Sequence, residues 1–170
     1  ASVSEHAVLH IAIENISRLA AECLESNRLA SYTEKSSRYQ VWDEDCLVIT
    51  PEIKGNVLEP LYCQTMRTLF SKYKSALSIL YETLENKAKH QGEAITEREL
   101  RSKCMDACRY YLPAAATANV GVTINARSLE HALRKMLSHP LQEVHQLGEE
   151  IKQVASEQLP TLLKYVDAVP

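Results

Sequence analysis

The sequence predicts an α+β fold in which helices dominate and one small sheet is present. Residues 57–90 carry apolar side chains three and four positions apart, which is the spacing of a long amphipathic helix. Residues 8–14 instead alternate between apolar and other side chains, as a half-buried strand does. Long helices beside so little strand-forming sequence define the α+β class.

The N-terminal part begins with this strand, which places Leu9, Ile11 and Ile13 on one face. Asn15 and Ser17 can cap a following helix because their short polar side chains accept a hydrogen bond from the first helical turn. The apolar side chains of that helix recur at helical spacing and are Ile16, Leu19, Ala20, Cys23 and Leu24.

The middle of the chain is helical. A short apolar run at 46–49 precedes Thr50-Pro51 and is either a strand or an extended lid segment. The helix over 57–90 stops at Gly92. Thr96 and Glu99 then form a capping box that starts a helix ending before Pro113.

The C-terminal part returns to the sheet and adds two helices. Residues 116–124 are small or β-branched and form either a strand or a tightly packed helix. Ser128 is predicted to cap a helix that runs through Leu137. Pro140 suits the first position of a last helix, which extends to about Leu159. No repeat or linker divides residues 1–170, so we expect one domain, a piece of a longer chain because the first residue is not Met.

Composition excludes several classes of protein. The net charge is −3, which gives no support for binding to nucleic acid or to a membrane surface. No apolar run is long enough to span a bilayer, a length of about 18 residues. Five cysteines are an odd number and are widely spread, which favours a reducing cytoplasm over a disulfide framework. Cys104 and Cys108 lie four apart, and we interpret them as buried thiols and not as metal ligands.

The polar segment 26–39 is the strongest functional signal. Arginines and hydroxyl groups at this density favour a site for phosphate, because guanidinium groups pair bidentately with phosphate oxygens. A solvated polar loop is the alternative. The residue order resembles the signature R-H-R-x-x-S-x-N-E-x-S-x-R-Y of the flavin-dependent thymidylate synthases. The matching residues are Arg28, Ser31, Glu34, Ser36, Arg38 and Tyr39.

Two further regions resemble the same family, so the likeness covers nearly all of the chain. Residues 2–7 resemble its S/T-x-x-E-H segment, and residues 13–18 continue that likeness. Residues 107–113, 123–129 and 142–145 are similar to its A-R-x-x-L-P, V-N-x-R-S-L and Q-x-E-I-R elements. The N-terminal segment of the family has no counterpart here.

This resemblance implies a small mixed sheet flanked by long helices, and homotetramers with active sites between subunits. It implies FAD as the cofactor, NADPH and methylenetetrahydrofolate as cosubstrates, and reductive methylation of dUMP to dTMP. The cofactor site would hold Ser2, Glu5, Arg28 and Asn125. The substrate site would hold Ser31, Glu34, Ser36, Arg38 and Arg127, with Arg127 also the catalytic residue. An exposed arginine at a helix start is the alternative for Arg127, and an ordinary i,i+4 surface pair is the alternative for Glu34 and Arg38.

The chain departs from the family at charged positions. Ser26, Asn27 and Thr33 replace Arg, His and Asn of the signature, while Met136 and His145 stand where the family has arginines. Two interpretations follow: a divergent synthase, or a degenerate non-catalytic domain kept for assembly or for a different nucleotide-like ligand. The breadth of the apolar face on residues 57–90 also predicts self-association, as a dimer or a tetramer.

Overall fold

The computed structural model describes residues 2–164, 166 and 167. These residues form two compact units, one built from 1–35, 50–54 and 117–170 and the other from 36–49 and 55–116. We predicted a single domain over residues 1–170, and this remains a prediction although the structure divides into two units. The helices are α1 (Arg18–Glu25), α2 (Glu59–Gln91), α3 (Glu97–Cys108), α4 (Ala126–Leu137) and α5 (Gln142–Gln158).

The first unit is built on an antiparallel sheet of three strands. The strands are β1 (Val8–Ser17), β2 (Ala30–Glu34) and β3 (Thr117–Asn125), in the spatial order β1-β3-β2. The α+β class is confirmed. The resemblance implied a mixed sheet, but both strand pairings among the described residues are antiparallel. The strand alternative for residues 116–124 is also confirmed, because alternate side chains of β3 are buried. They are Ala118, Val120, Val122 and Ile124.

Strand β1 is longer than predicted because it contains a bulge. Ile13 faces Val120 and Ile16 faces Ala118, so three steps on β1 match two on β3. Asn15 takes up the extra residue in a left-handed conformation, with φ of 59°, which asparagine tolerates better than most residues. Its backbone N–H donates to Asn119 Oδ1 at 2.8 Å. Both isoleucines are therefore buried on one face although they are three positions apart, an offset that would place them on opposite faces of a regular strand.

Ser17 joins β1 to α1 and is buried, with 1% of its surface exposed. Its hydroxyl oxygen accepts from the backbone N–H of Ala20 at 3.0 Å, which confirms it as one of the two predicted caps. Glu143 of α5 accepts from the Ser17 backbone N–H and from the Ser17 hydroxyl, each at 2.7 Å. One carboxylate thus satisfies two buried donors where the strand becomes a helix.

Two predicted helix starts are wrong. Asn125, not Ser128, caps α4, because its side-chain oxygen accepts from the Ser128 backbone N–H at 2.9 Å. Either residue type suits a cap, and β3 runs directly into the helix, which leaves the earlier one at the boundary. Helix α5 begins at Gln142, with Leu141 and not Pro140 before it. Glu52 supplies an acceptor for the Gln142 backbone N–H.

Helices α1, α4 and α5 bury their apolar side chains with one face of the sheet. The most deeply buried members of this core are Ala20, Leu133, Val144, Ala155, Leu163 and Val166. In the segment 26–31, Ala30 and Ser31 pair with the end of β3, just before α4 begins, whereas Ser26 and Asn27 lie beside Lys135 near the end of α4.

The second unit contains α2, α3 and a short 3-10 helix at Arg109–Tyr111. The capping box of Thr96 and Glu99 is confirmed, as is the stop at Gly92, which has φ of 66°. Residues 46–49 do not form one of the named strands, and Leu47 forms an isolated bridge with Ala116. The core of this unit comprises Trp42, Phe70, Tyr73, Cys108, Leu112 and Ala116.

Cys104 and Cys108 are buried, as predicted for thiols that act as small apolar side chains. Burial raises the pKa of both thiols, because the ionised form loses its solvation. Among the described residues, no three potential ligands come together as a metal site would require. In the same part of the chain, no helix has the length and apolar character needed to cross a bilayer.

Candidate functional site

A cavity of about 840 Å³ opens in the first unit. Its volume lies within the range of small-molecule and cofactor sites. Four stretches of the chain line it: Glu5 and Val8 near the N-terminus, residues 26–31 after α1, residues 123–125 at the end of β3, and one face of α4.

The pairing of β2 with β3 explains why these distant stretches meet. Ala30 faces Ile124 and Ser31 faces Thr123 in the sheet, so residues 26–31 lie beside the end of β3. The chain then passes through Asn125 into α4 without a loop. The first turn of α4 therefore stands next to the polar segment that the sequence singled out.

Cations dominate the charged lining of the cavity. Its lining contains three cationic side chains, Arg28, Arg127 and Lys135, and one carboxylate, Glu5. The chain as a whole is negatively charged, so this local excess of positive charge is a property of the cavity and not of the average surface. Such a lining favours an anionic ligand.

Arg127 forms an ion pair with Glu5, through Nη1 and Oε1. The two side chains are 53% and 50% exposed, so water remains in contact with the pair. Asn125 lies directly before this turn, and its cap bond leaves the amide N–H groups of its side chain for a ligand. Arg28 is exposed and forms no ion pair among the described residues.

Lys135 is a cationic cavity residue that the sequence analysis missed. Its ammonium nitrogen lies 3.3 Å from Asn27 Oδ1 and 3.5 Å from Ser26 Oγ. These are two of the signature positions at which this chain lacks charged side chains. A signal was present, since Arg127, His131 and Lys135 follow each other at intervals of four on one helix and so share a face.

Five of the predicted site residues line the cavity: Glu5, Arg28, Ser31, Asn125 and Arg127. Glu34 is exposed at the end of β2, and because this segment is a strand, the alternative of a helical i,i+4 pair with Arg38 does not describe it. Arg38 belongs to the second unit, where its Nε lies 3.0 Å from Asp106 Oδ1. The Ser36 hydroxyl accepts from the Arg38 backbone N–H at 3.3 Å. The side chain of Ser2 is outside the described residues, and the ligand roles of all these residues stay predictions.

The two departures in the C-terminal part lie in different surroundings, and one of them has a role in packing. Met136 is 2% exposed in the core of the first unit. A Cβ on Gly148 would lie 3.0 Å from Met136 Cβ, so α4 and α5 approach closely at this point. His145 lies on α5 with its Nδ1 3.9 Å from Glu149 Oε1. The side chain at position 136 therefore serves packing.

The sequence pattern of the family described as thymidylate synthase complementing protein matches residues 1–161. The chain belongs to this family.

Relatives within and around the thymidylate synthase complementing protein family share up to a third of the sequence. A flavin-dependent thymidylate synthase of Clostridium tetani is 30% identical over 163 residues, which cover 95% of this chain and 63% of that protein. A Chlamydia pneumoniae protein of the UPF0159 group is 32% identical over 158 residues, which cover 88% of this chain and 30% of that protein. The chain thus spans less than two thirds of the length of these relatives.

The fold of the family is also found in a solved structure. The flavin-dependent thymidylate synthase ThyX of Helicobacter pylori, complexed with FAD and dUMP, superposes with a TM-score of 0.67 at 22% identity. The superposition covers 98% of this chain and 76% of that one.

Proposed function

We propose that this chain is the nucleotide-binding part of a flavin-dependent thymidylate synthase that acts in the cytoplasm. The reaction is the reductive methylation of dUMP to dTMP, with FAD as cofactor and with methylenetetrahydrofolate and NADPH as cosubstrates. One observation carries the proposal: residues from three separate family-like regions, represented by Glu5, Arg28 and Arg127, line one cation-rich cavity. The Clostridium tetani relative supports the activity, and the Helicobacter pylori structure supports both ligands.

The residues of the cavity fit a flavin nucleotide. Its volume suits a large cofactor, and its excess of cations suits the negative charge of a diphosphate. Arg28 would hold phosphate oxygens because its guanidinium has no competing carboxylate partner among the described residues. Asn125 would donate its side-chain N–H groups, since its oxygen already caps α4.

The flavin, when bound, carries the methylene group to C5 of the uracil and supplies the reducing hydride. The protein binds and orients the reactants. Arg127 holds dUMP and stabilises negative charge on it, and it does not transfer protons because a guanidinium stays charged at all physiological pH values. Glu5 holds the Arg127 side chain in place through their ion pair.

Titration with FAD tests this function directly. We expect the purified chain to bind FAD, with a change in the flavin absorbance bands, and to bind dUMP in calorimetry. Absence of both signals contradicts the proposal.

A non-catalytic family domain is the second candidate. Ser26 and Asn27 are uncharged and Met136 is a buried apolar residue, so charges that the family carries at these three positions are missing here. This candidate predicts that the chain binds a nucleotide, does not bind a flavin and does not form dTMP. The same titrations, followed by an assay for dTMP, separate the two candidates.

We also propose that the chain self-associates as a dimer or a tetramer. Helix α2 buries only Phe70, Tyr73 and Ala88 among its described residues, and large apolar side chains remain on its surface. Leu61 is 60% exposed and Ile79 is 66% exposed. Apolar area of this kind is typical of interfaces. Sedimentation at micromolar concentrations should show a species heavier than one chain, and a monomer throughout that range contradicts self-association.

A further inference from the structure

The ammonium group of Lys135 is held by uncharged side chains only. Its nitrogen contacts Asn27 Oδ1 at 3.3 Å and Ser26 Oγ at 3.5 Å. None of the ion pairs among the described residues includes Lys135. The group therefore has two polar neighbours and no ion-pair partner among the described residues, and one of its three N–H donors has no acceptor in these contacts.

The two acceptors are oriented by hydrogen bonds that do not involve Lys135. Asn27 is 8% exposed, and its side-chain nitrogen donates to the Leu24 carbonyl oxygen at 2.8 Å. Its amide oxygen is thereby turned towards Lys135. The Ser26 hydroxyl donates to the Cys23 carbonyl oxygen at 2.7 Å, so its lone pairs remain for the ammonium group. The site for the cation is thus built by the end of α1.

Lys135 also stands in line with the other cation of α4. Arg127, His131 and Lys135 lie on the face of the helix that lines the cavity. At a rise of about 1.5 Å per residue, the backbones of Arg127 and Lys135 are about 12 Å apart. Arg127 is paired with Glu5, whereas Lys135 has no carboxylate partner among the described residues. The unneutralised charge on this helix face is therefore at the Lys135 end.

We propose that Lys135 is a phosphate-binding residue of the cavity, and that Ser26 and Asn27 hold its ammonium group in place for the phosphate of a bound nucleotide. An ammonium group is a point charge well suited to phosphate oxygens. Ser26 and Asn27 are uncharged, and Lys135 of α4 places a positive charge beside them. That the phosphate belongs to dUMP or to FAD rests on the proposed function.

The test compares Lys135→Gln, which removes the charge, with Lys135→Arg, which keeps it. Lys74→Gln on the exposed surface of α2 is the matched control. Calorimetry is carried out with inorganic pyrophosphate, dUMP, deoxyuridine and FAD, each at low and at high salt. We expect Lys135→Gln to weaken the binding of pyrophosphate about tenfold. The binding of dUMP, of FAD or of both should weaken by a similar factor. The substitution should also flatten the salt dependence and leave deoxyuridine binding unchanged.

Lys135→Arg should restore most of the affinity, and Lys74→Gln should match the wild type. Equal affinities of Lys135→Gln and the wild type for pyrophosphate, dUMP and FAD overturn the role of Lys135 and leave the proposed function standing. Pyrophosphate binding that depends on Lys135, without binding of dUMP or FAD, supports the phosphate site and contradicts the proposed function. Failure of the wild type to bind any of the three overturns both. Thermal melts show whether each variant is folded.

Discussion

Replacing Arg127 by alanine should weaken the binding of dUMP by about 2–3 kcal/mol, the upper part of the range of about 1.5–3 kcal/mol for hydrogen bonds to charged groups. The side chain projects from the first turn of α4 into the cavity, and its ion pair with Glu5 leaves guanidinium N–H groups for a ligand. The fold should be unaffected, because an ion pair this exposed contributes at most about 1 kcal/mol. Calorimetric titration with dUMP, alongside thermal melts, measures both effects.

Arg98 provides the control for this experiment. It is exposed on α3, in the second unit, and its replacement by alanine should change neither the affinity nor the melting temperature. Arg127→Lys keeps the positive charge but loses the planar pair of donors. Its affinity for dUMP should therefore fall between those of the wild type and Arg127→Ala. Equal affinities for dUMP in the wild type, Arg127→Ala and Arg98→Ala would show that Arg127 is an ordinary exposed arginine at a helix start.

The largest effect on stability is expected at Glu143. Its replacement by alanine leaves the buried Ser17 with a backbone N–H and a hydroxyl group that lose their acceptor. Buried donors without partners cost about 1–3 kcal/mol each, and partial access of water to the new space reduces the sum. We expect the free energy of unfolding to fall by about 2–4 kcal/mol, as measured by urea unfolding monitored by circular dichroism.

Glu149 lies on the same helix and is 62% exposed, so Glu149→Ala should change the free energy of unfolding by no more than about 0.5 kcal/mol. Glu143→Gln keeps the shape of the side chain but offers one acceptor oxygen in place of two, and we expect an intermediate loss. A Glu143→Ala variant as stable as Glu149→Ala would mean that water replaces the carboxylate at Ser17 without cost.

Local chemistry predicted those parts of the fold that depend on neighbouring residues. The capping box at Thr96, the stop at Gly92 and the cap at Ser17 each rest on contacts within a few positions. The extent of β1 was missed because the bulge at Asn15 interrupts the alternation, and its bond to Asn119 joins residues far apart in sequence. The start of α4 was missed because the cap at Asn125 is also the last residue of β3.

In the candidate site, too, some residues could be predicted from the sequence, whereas contacts between residues far apart in sequence could not. The signature and its companion regions identified Arg28, Ser31 and Arg127 through their resemblance to a family, and the cavity includes all three. The pairing of Lys135 with Asn27 spans more than a hundred positions and depends on how α4 packs beside the end of α1. A pattern of spacing along one helix contains no information about its neighbour across the cavity.

The bulge in β1 also bears on how the sheet meets other chains. Strand β1 is at the edge of the three-stranded sheet, where unpaired backbone groups can template pairing with a further strand and lead to aggregation. The extra residue at Asn15 bends the strand and breaks its regular ladder, and the exposed carboxylate of Glu14 adds charge beside it. A bulged and charged edge resists extension by a strand of another molecule. Association of this protein through a continuous sheet is therefore disfavoured along the C-terminal half of β1.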